Sequence, residues 1–156
     1  MAQVEKEAQR MAKDAIDIQY NDLREWLDLA QQLGELKQVE GATWQEDIGM
    51  ATEVLNHTEP SPAVLFDSIP GHKKGYRVLT NFFGSKRANM TLGFSPELDK
   101  FELSQAFYKA YTNNKPIPYK VVNDGPILEN VKMGDDVNVL EFPAPLWHKK
   151  DGGRYI

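Results

Sequence analysis

Residues 21–40 read NDLREWLDLAQQLGELKQVE, and a change of period inside them sets the fold. Leu23, Trp26, Leu27 and Ala30 fall at i, i+3, i+4 and i+7, the apolar stripe of an amphipathic helix. Asn21 or Asp22 can cap its start, and Gly34 stands where a helix C-terminus closes. Leu36 to Val39 then reads as a short strand. Further on, Ile48, Ala51, Val54 and Leu55 return to helical spacing and predict a second helix that ends near His57, because Pro60 and Pro62 follow.

Two compact apolar runs come next, AVLF at 63–66 and YRVLTNFF at 76–83, joined by a turn-rich stretch containing Pro70, Gly71 and Gly75. They read as paired strands. A short helix is predicted to begin with Ser85 as its cap and to end by Gly93. Ser95 followed by Pro96 predicts the start of another helix, with Leu98, Phe101, Phe107 and Tyr111 on its apolar face. Upstream, Val4, Ala8, Met11, Ala15 and Ile18 form a thin stripe at roughly helical spacing. Residues 1–20 therefore read as a loosely docked leader helix.

The texture changes at NNKPIPYK, from Asn113 to Lys120, a Pro-punctuated connector after which helical periodicity does not return. YKVV at 119–122, ILENV at 127–131 and VNVLEF at 137–142 read as short strands, with turn signals at Asp124-Gly125 and Gly134-Asp135. Two or three strands rarely hold together without further partners. The reading is thus an α/β (α+β) domain with a small mixed sheet packed by helices over 21–118, then the opening of a β-rich unit over 119–156.

The chain has 156 residues, 18 Lys and Arg against 23 Asp and Glu, a net charge of −5 and no cysteine. That length suits one domain, or one domain plus the beginning of another, and buries roughly two-thirds of the unfolded surface. Interspersed charges of both signs argue against nucleic acid as the main partner. Without cysteine there are no disulfides, thiolate metal sites or Cys nucleophiles. No apolar run approaches the ~18 residues of a membrane span, and the first residues lack the apolar core of a secretory signal, so a cytoplasmic protein is expected.

Self-contained site signatures of the GxGxxG, GxxxxGK, HExxH or GxSxG type are absent. His57, His72 and His148 lie far apart beside turn-forming residues, where surface or capping roles outweigh metal ligation. In FFGSKR, Lys86 and Arg87 at a helix start suit an anion, although a Gly turn and a Ser cap suffice to explain them. GHKKG at 71–75 reads as a solvated loop before a phosphate loop. Glu46-Asp47 and Asp135-Asp136 sit at turns or helix starts and make poor acid–base pairs. The stretch FPAPLWHKKDGGRYI is the most unusual, since two prolines hold it extended and Gly152-Gly153 permits close approach. It suits either a binding surface or an edge strand with a turn.

Taken in order, these strings resemble the N-terminal region of the UbiD family of decarboxylases. DLREWLDLAQQLGELKQVEG is similar to that family's opening helix and strand, AVLFDSIPGH with RVLTNFFGSKR to its hairpin passage, and FPAPLWHKKDGGRYI to its signature almost position for position. The resemblance runs from Asp22 to the end and leaves residues 1–20 as a subfamily extension or an interaction helix. It implies a split β-barrel flavin-binding domain beginning near 119. It also implies a homo-oligomeric parent enzyme that uses prenylated FMN, a divalent metal (Mn or Mg) and potassium to decarboxylate, reversibly, aromatic, heteroaromatic or α,β-unsaturated acids.

By the same resemblance, the family's metal ligands and its Glu-Arg-Glu catalytic set lie beyond Ile156. No catalytic or metal-binding residue is therefore expected in this chain, and the chain alone is expected to be inactive. Arg154, Tyr155 and Ile156 are near-site positions on the strand leading towards the flavin, and His148 is structural. Two other readings stand beside this one: a non-catalytic accessory or binding module, and a split-barrel flavin-binding protein or flavin reductase without decarboxylation.

Overall fold

A computed structural model describes residues 16–113 and 115–155. The first helix, α1 (Leu23–Gln32), is closed at both ends as its sequence predicts. Asp22 Oδ1 accepts from the amides of Arg24 and Glu25 at 2.7 and 3.0 Å, while Glu25 Oε2 accepts from the Asn21 amide at 2.7 Å. These bonds satisfy amides that the helix itself leaves open. At the other end Gly34 takes φ +71°. Glu35 N then donates to Ala30 O and Gly34 N to Gln31 O, the paired bonds of a glycine-terminated helix.

Strand β1 (Leu36–Glu40), helix α2 (Asp47–Asn56) and strand β2 (Ala63–Asp67) follow, and the helix carries the chain over so that β1 and β2 run parallel, Leu36 opposite Ala63. Strand β3 (Val78–Thr80) returns antiparallel to β2, giving the order β1-β2-β3. β2 is the central strand, buried on both faces. Alternation sends Ala63 and Leu65 towards Trp26, Leu27 and Ala30 of α1, and Val64 and Phe66 towards Ile48 of α2. Burying a side chain such as Phe66 contributes about 1.5–3 kcal/mol. Helices α3 (Ser85–Thr91) and α4 (Lys100–Asn113) enclose a third cluster of Phe94, Leu98 and Ala106.

Several expectations are corrected. β3 covers only the middle of the predicted 76–83, because Asn81 turns to φ +51° and spends its side-chain amide on Ser61 and Pro62. Gly84, not Ser85, occupies the cap position of α3. Ser95-Pro96 makes a turn and α4 starts four residues later, where Asp99 Oδ1 accepts from Phe101 N and Glu102 N while Glu102 reaches back to Asp99 N. That reciprocal cap outcompetes a serine followed by proline. Of the predicted leader helix, residues 1–15 lie outside the described residues. Ile16 to Tyr20 are not helical, and Asp17 N instead donates to Gly93 O at 2.7 Å.

The largest departure is C-terminal. None of the described residues in 119–122, 127–131 or 137–142 forms a strand; three single 3-10 turns, Pro126–Leu128, Gly134–Asp136 and Val139–Glu141, occupy this region. Tyr119, Val121, Ile127, Val131 and Val139 are all largely exposed. A strand needs a partner for its amides and a face to bury, and no neighbour here supplies either. The turn signal at Gly134-Asp135 holds, with Gly134 at φ +57°, whereas at Asp124-Gly125 the glycine is extended and the turn starts only at Pro126.

Candidate functional site

The signature stretch 142–155 folds back over α2 as a strap. Its prolines keep it extended, and Pro143 and Pro145 are buried. Leu146 N donates to Trp44 O at 2.9 Å, and Trp147 packs against the cluster around Ile48 and Phe66. Gly49 makes this crossing possible. A Cβ there would stand 2.4 Å from Trp147 O and 2.7 Å from Leu146 O, so only glycine lets the strap's carbonyls touch the helix.

Beyond Trp147 the chain reverses in a tight turn, in which His148 N donates to Asp151 Oδ2 and Asp151 N to His148 O. Gly152-Gly153 then returns it along itself, with Tyr155 N donating to Pro145 O at 3.3 Å and Trp147 Nε1 to Tyr155 O at 3.1 Å. The Arg154 guanidinium donates to Ala144 O at 2.7 Å and Phe142 O at 3.1 Å, with its carbon 3.8 Å from the centre of the Trp44 ring. Arg154 therefore locks the strap, cation over aromatic face. Tyr155 is about half exposed, and Ile156 lies outside the described residues.

The structure brings together groups that sequence distance kept apart. Glu53 on α2 is met by His57 Nε2 at 3.1 Å and by His148 Nε2 at 3.5 Å, with His148 Nδ1 3.7 Å from Asp151. Hydrogen bonding from His57, then from His148, holds the Glu53 carboxyl below its usual range. The Glu53–His57 contact was open to sequence reasoning as an i, i+4 pair on a predicted helix. The contact with His148 spans 95 positions and was not. A cavity of about 560 Å³ opens beside this clasp, lined by Met50, Val54, Leu146, Trp147, Glu53 and His148. His72 bonds through Nδ1 to Glu141 O at 3.0 Å, a loop-pinning role.

The second constellation lies in TNFFGSKR. Arg87 is wholly buried and pairs with Glu35; its Nη2 donates to Ser61 O at 2.7 Å and Asn81 O at 2.9 Å, and its Nε is buried without a partner. Burial pulls its pKa below the ordinary guanidinium value, and Glu35 opposes that pull. Lys86 pairs with Glu97 at 3.2 Å. Both cations are committed within the protein, so this passage holds the fold together and the Gly turn reading of it stands. Asp47 likewise accepts from Thr43 N and Oγ1 at the start of α2, and Asp135-Asp136 lies in an exposed turn. Among the described residues, no three His, Asp or Glu side chains are placed to hold a metal ion. With Arg154 engaged as well, these residues do not fit a flavin phosphate or its metal. No helix among them is long and apolar enough to cross a membrane.

Residues 27–107, just over half of the chain, match the UbiD N-terminal domain family, described as the 3-octaprenyl-4-hydroxybenzoate carboxy-lyase N-terminal domain. The chain is 31% identical over 143 residues to the pyrrole-2-carboxylic acid decarboxylase of Pseudomonas aeruginosa, covering 86% of this chain and 29% of that protein. It is 36% identical over 148 residues to the phenolic acid decarboxylase of Sedimentibacter hydroxybenzoicus, covering 88% and 29%. The closed form of the S. hydroxybenzoicus vanillic acid decarboxylase superposes with a TM-score of 0.76 at 31% identity, covering 88% of this chain and 29% of that one. Its open form gives 0.73 at 32%, covering 88% and 30%. The chain thus spans less than a third of the length of these relatives. With the small mixed sheet, its flanking helices and the DGGRY strap all in place, the chain belongs to the UbiD family of carboxy-lyases, of which it carries the N-terminal portion.

Proposed function

We propose that this chain is the N-terminal portion of a reversible decarboxylase of aromatic, heteroaromatic or α,β-unsaturated carboxylic acids that works with prenylated FMN, a divalent metal ion and potassium. The observation that carries this reading is the strap, since the passage FPAPLWHKKDGGRYI resembles the family's signature and its residues Leu146, Trp147 and Arg154 are pinned to Trp44 and α2. When bound, the prenylated flavin supplies an electron sink for loss of carbon dioxide. The described residues offer it no phosphate clamp and no metal cage. Their role is to fix the direction in which the backbone leaves Arg154 and Tyr155, the near-site positions, towards a split-barrel flavin domain starting near residue 119. The 156-residue chain alone is then inactive, and the parent is a cytoplasmic homo-oligomer acting on a small carboxylic acid, with neither nucleic acid nor membrane as partner.

The test is to purify the complete gene product from a host that makes prenylated FMN and to identify its flavin by mass spectrometry while assaying carbon dioxide release from pyrrole-2-carboxylate, vanillate and cinnamate. Prenylated flavin with turnover of one such acid supports the reading. Plain FMN with no decarboxylation, or turnover by the 156-residue chain on its own, overturns it.

A further inference from the structure

Aspartate is followed by glycine at two places, Asp124-Gly125 and Asp151-Gly152, and the fold treats them in opposite ways. A glycine carries no side chain to shield its amide nitrogen, so a mobile backbone lets that nitrogen reach the preceding carboxyl carbon. At the second pair the carboxyl is committed elsewhere. Asp151 Oδ2 accepts from His148 N at 2.8 Å, and Asp151 N donates to His148 O at 3.0 Å, which fastens the residue into the turn of the strap by side chain and backbone together. At the first pair, Gly125 N itself donates to Asp124 Oδ1 at 2.8 Å. Asp124 is exposed, and among the described residues, its chain neighbours apart, no atom stands within 4 Å of where a Cβ on Gly125 would lie. The stretches 119–122 and 127–131 on either side form no strand, so no ladder holds this backbone in place.

Proximity alone does not single out a site. Ser68 N makes the same contact with Asp67 Oδ1 at 2.6 Å, yet Asp67 lies at the end of the central strand, opposite Glu40, and its carbonyl accepts from Gly41 N at 3.1 Å. Closing a five-membered ring through the side chain requires the aspartate backbone to rotate, and those bonds oppose it there. We propose that Asp124-Gly125 is a site of spontaneous covalent modification, where the Gly125 nitrogen closes on Asp124 Cγ to give a succinimide that reopens largely as isoaspartate. The Cγ–N bond forms, and one carboxyl oxygen leaves as water with the carboxyl and amide protons. A second water then adds at either ring carbonyl and breaks its bond to nitrogen, so no oxidant or reductant is needed. Opening at the original main-chain carbonyl routes the chain through Cβ and Cγ, one carbon longer, and frees an α-carboxylate. The mark falls between α4 and the strap, and it accumulates with the age of the molecule.

To test this, the complete gene product is aged at neutral pH and body temperature for several weeks, in native buffer and in urea. Isoaspartate at Asp67, Asp124 and Asp151 is then quantified by digestion and electron-transfer fragmentation, which separates the two linkages although their masses are equal. In native buffer, isoaspartate at Asp124 is expected to exceed that at each of the other two by at least ~10-fold, the ratio that ~1.4 kcal/mol of local ordering gives. In urea, Asp124 and Asp151, both followed by glycine, are expected to converge. Gly125→Ala, whose methyl enters open space, should bring Asp124 down to the level of Asp67, with circular dichroism confirming the fold. A smaller difference in native buffer, or modification of Asp124 that survives Gly125→Ala, overturns the proposal. So does a gap between Asp124 and Asp151 that persists in urea, since the neighbouring sequence and not the fold would then choose the site.

Discussion

Arg87 ties together three separate parts of the domain, and its chemistry sets what replacement will do. Its planar guanidinium serves Glu35, Ser61 and Asn81 at once, three places that a lysine ammonium cannot reach together. Arg87→Ala removes the guanidinium that faces the largely buried Glu35 and takes a donor from the carbonyls of Ser61 and Asn81, and a loss of about 3–5 kcal/mol in urea unfolding is expected. Arg87→Lys should recover less than half of it. Gly49→Ala is the complementary case, where one added methyl displaces the strap at an expected cost of about 1–3 kcal/mol. Trp147 fluorescence should report that displacement before the fold itself is lost. Neither role was fully legible in the sequence. FFGSKR shows that a turn, a helix start and two cations are adjacent, but a buried arginine and an exposed one have the same letter, and the partner that distinguishes them is 52 positions away.

At the scale of elements, the best-read parts of the chain are those whose signals are local. The cap, stripe and closing glycine of α1 all lie within 13 residues; the two ends form the bonds their residue types predict, and Trp26, Leu27 and Ala30 of the stripe are buried, Leu23 alone staying exposed. Longer-range outcomes escaped. The segments from 119 to 142 have strand-like composition, yet strand formation is a property of pairs, and their partner is missing among the described residues. The caps also set the behaviour in acid. Backbone bonds hold the Asp22 and Asp47 carboxyls below their ordinary range, as the histidines hold Glu53. A carboxyl whose folded pKa is depressed stabilises the fold above its unfolded pKa of about 4 and loses that contribution as pH falls through the folded value. Stability should therefore decline below about pH 4. Asp22→Asn keeps an acceptor at the cap without a titrating proton, so thermal melts between about pH 5 and pH 2 should show a shallower decline for this variant.

For the whole molecule, the contrast between a doubly covered β2 and an uncovered 115–142 predicts where the chain opens first. Limited trypsin digestion is expected to cut at Lys120 and Lys132, which lie in the exposed region, well before any site in α1 or the sheet. The strap should remain bound to the larger piece on gel filtration, because Leu146, Trp147 and Arg154 hold it without help from the cut segment. Early cleavage at Lys37 on β1 would contradict this architecture. The Glu35–Arg87 pair has one more consequence, for synthesis. Chains form their domains from the N-terminus as they are made, yet α1 and all three strands are complete in sequence by Thr80 while the cation that neutralises Glu35 is still to come. A nascent chain whose emerged part ends before Arg87 should remain open to protease, and one long enough for α3 to have cleared the ribosome should become resistant. The moment at which this domain closes on the ribosome should therefore follow the emergence of a single arginine.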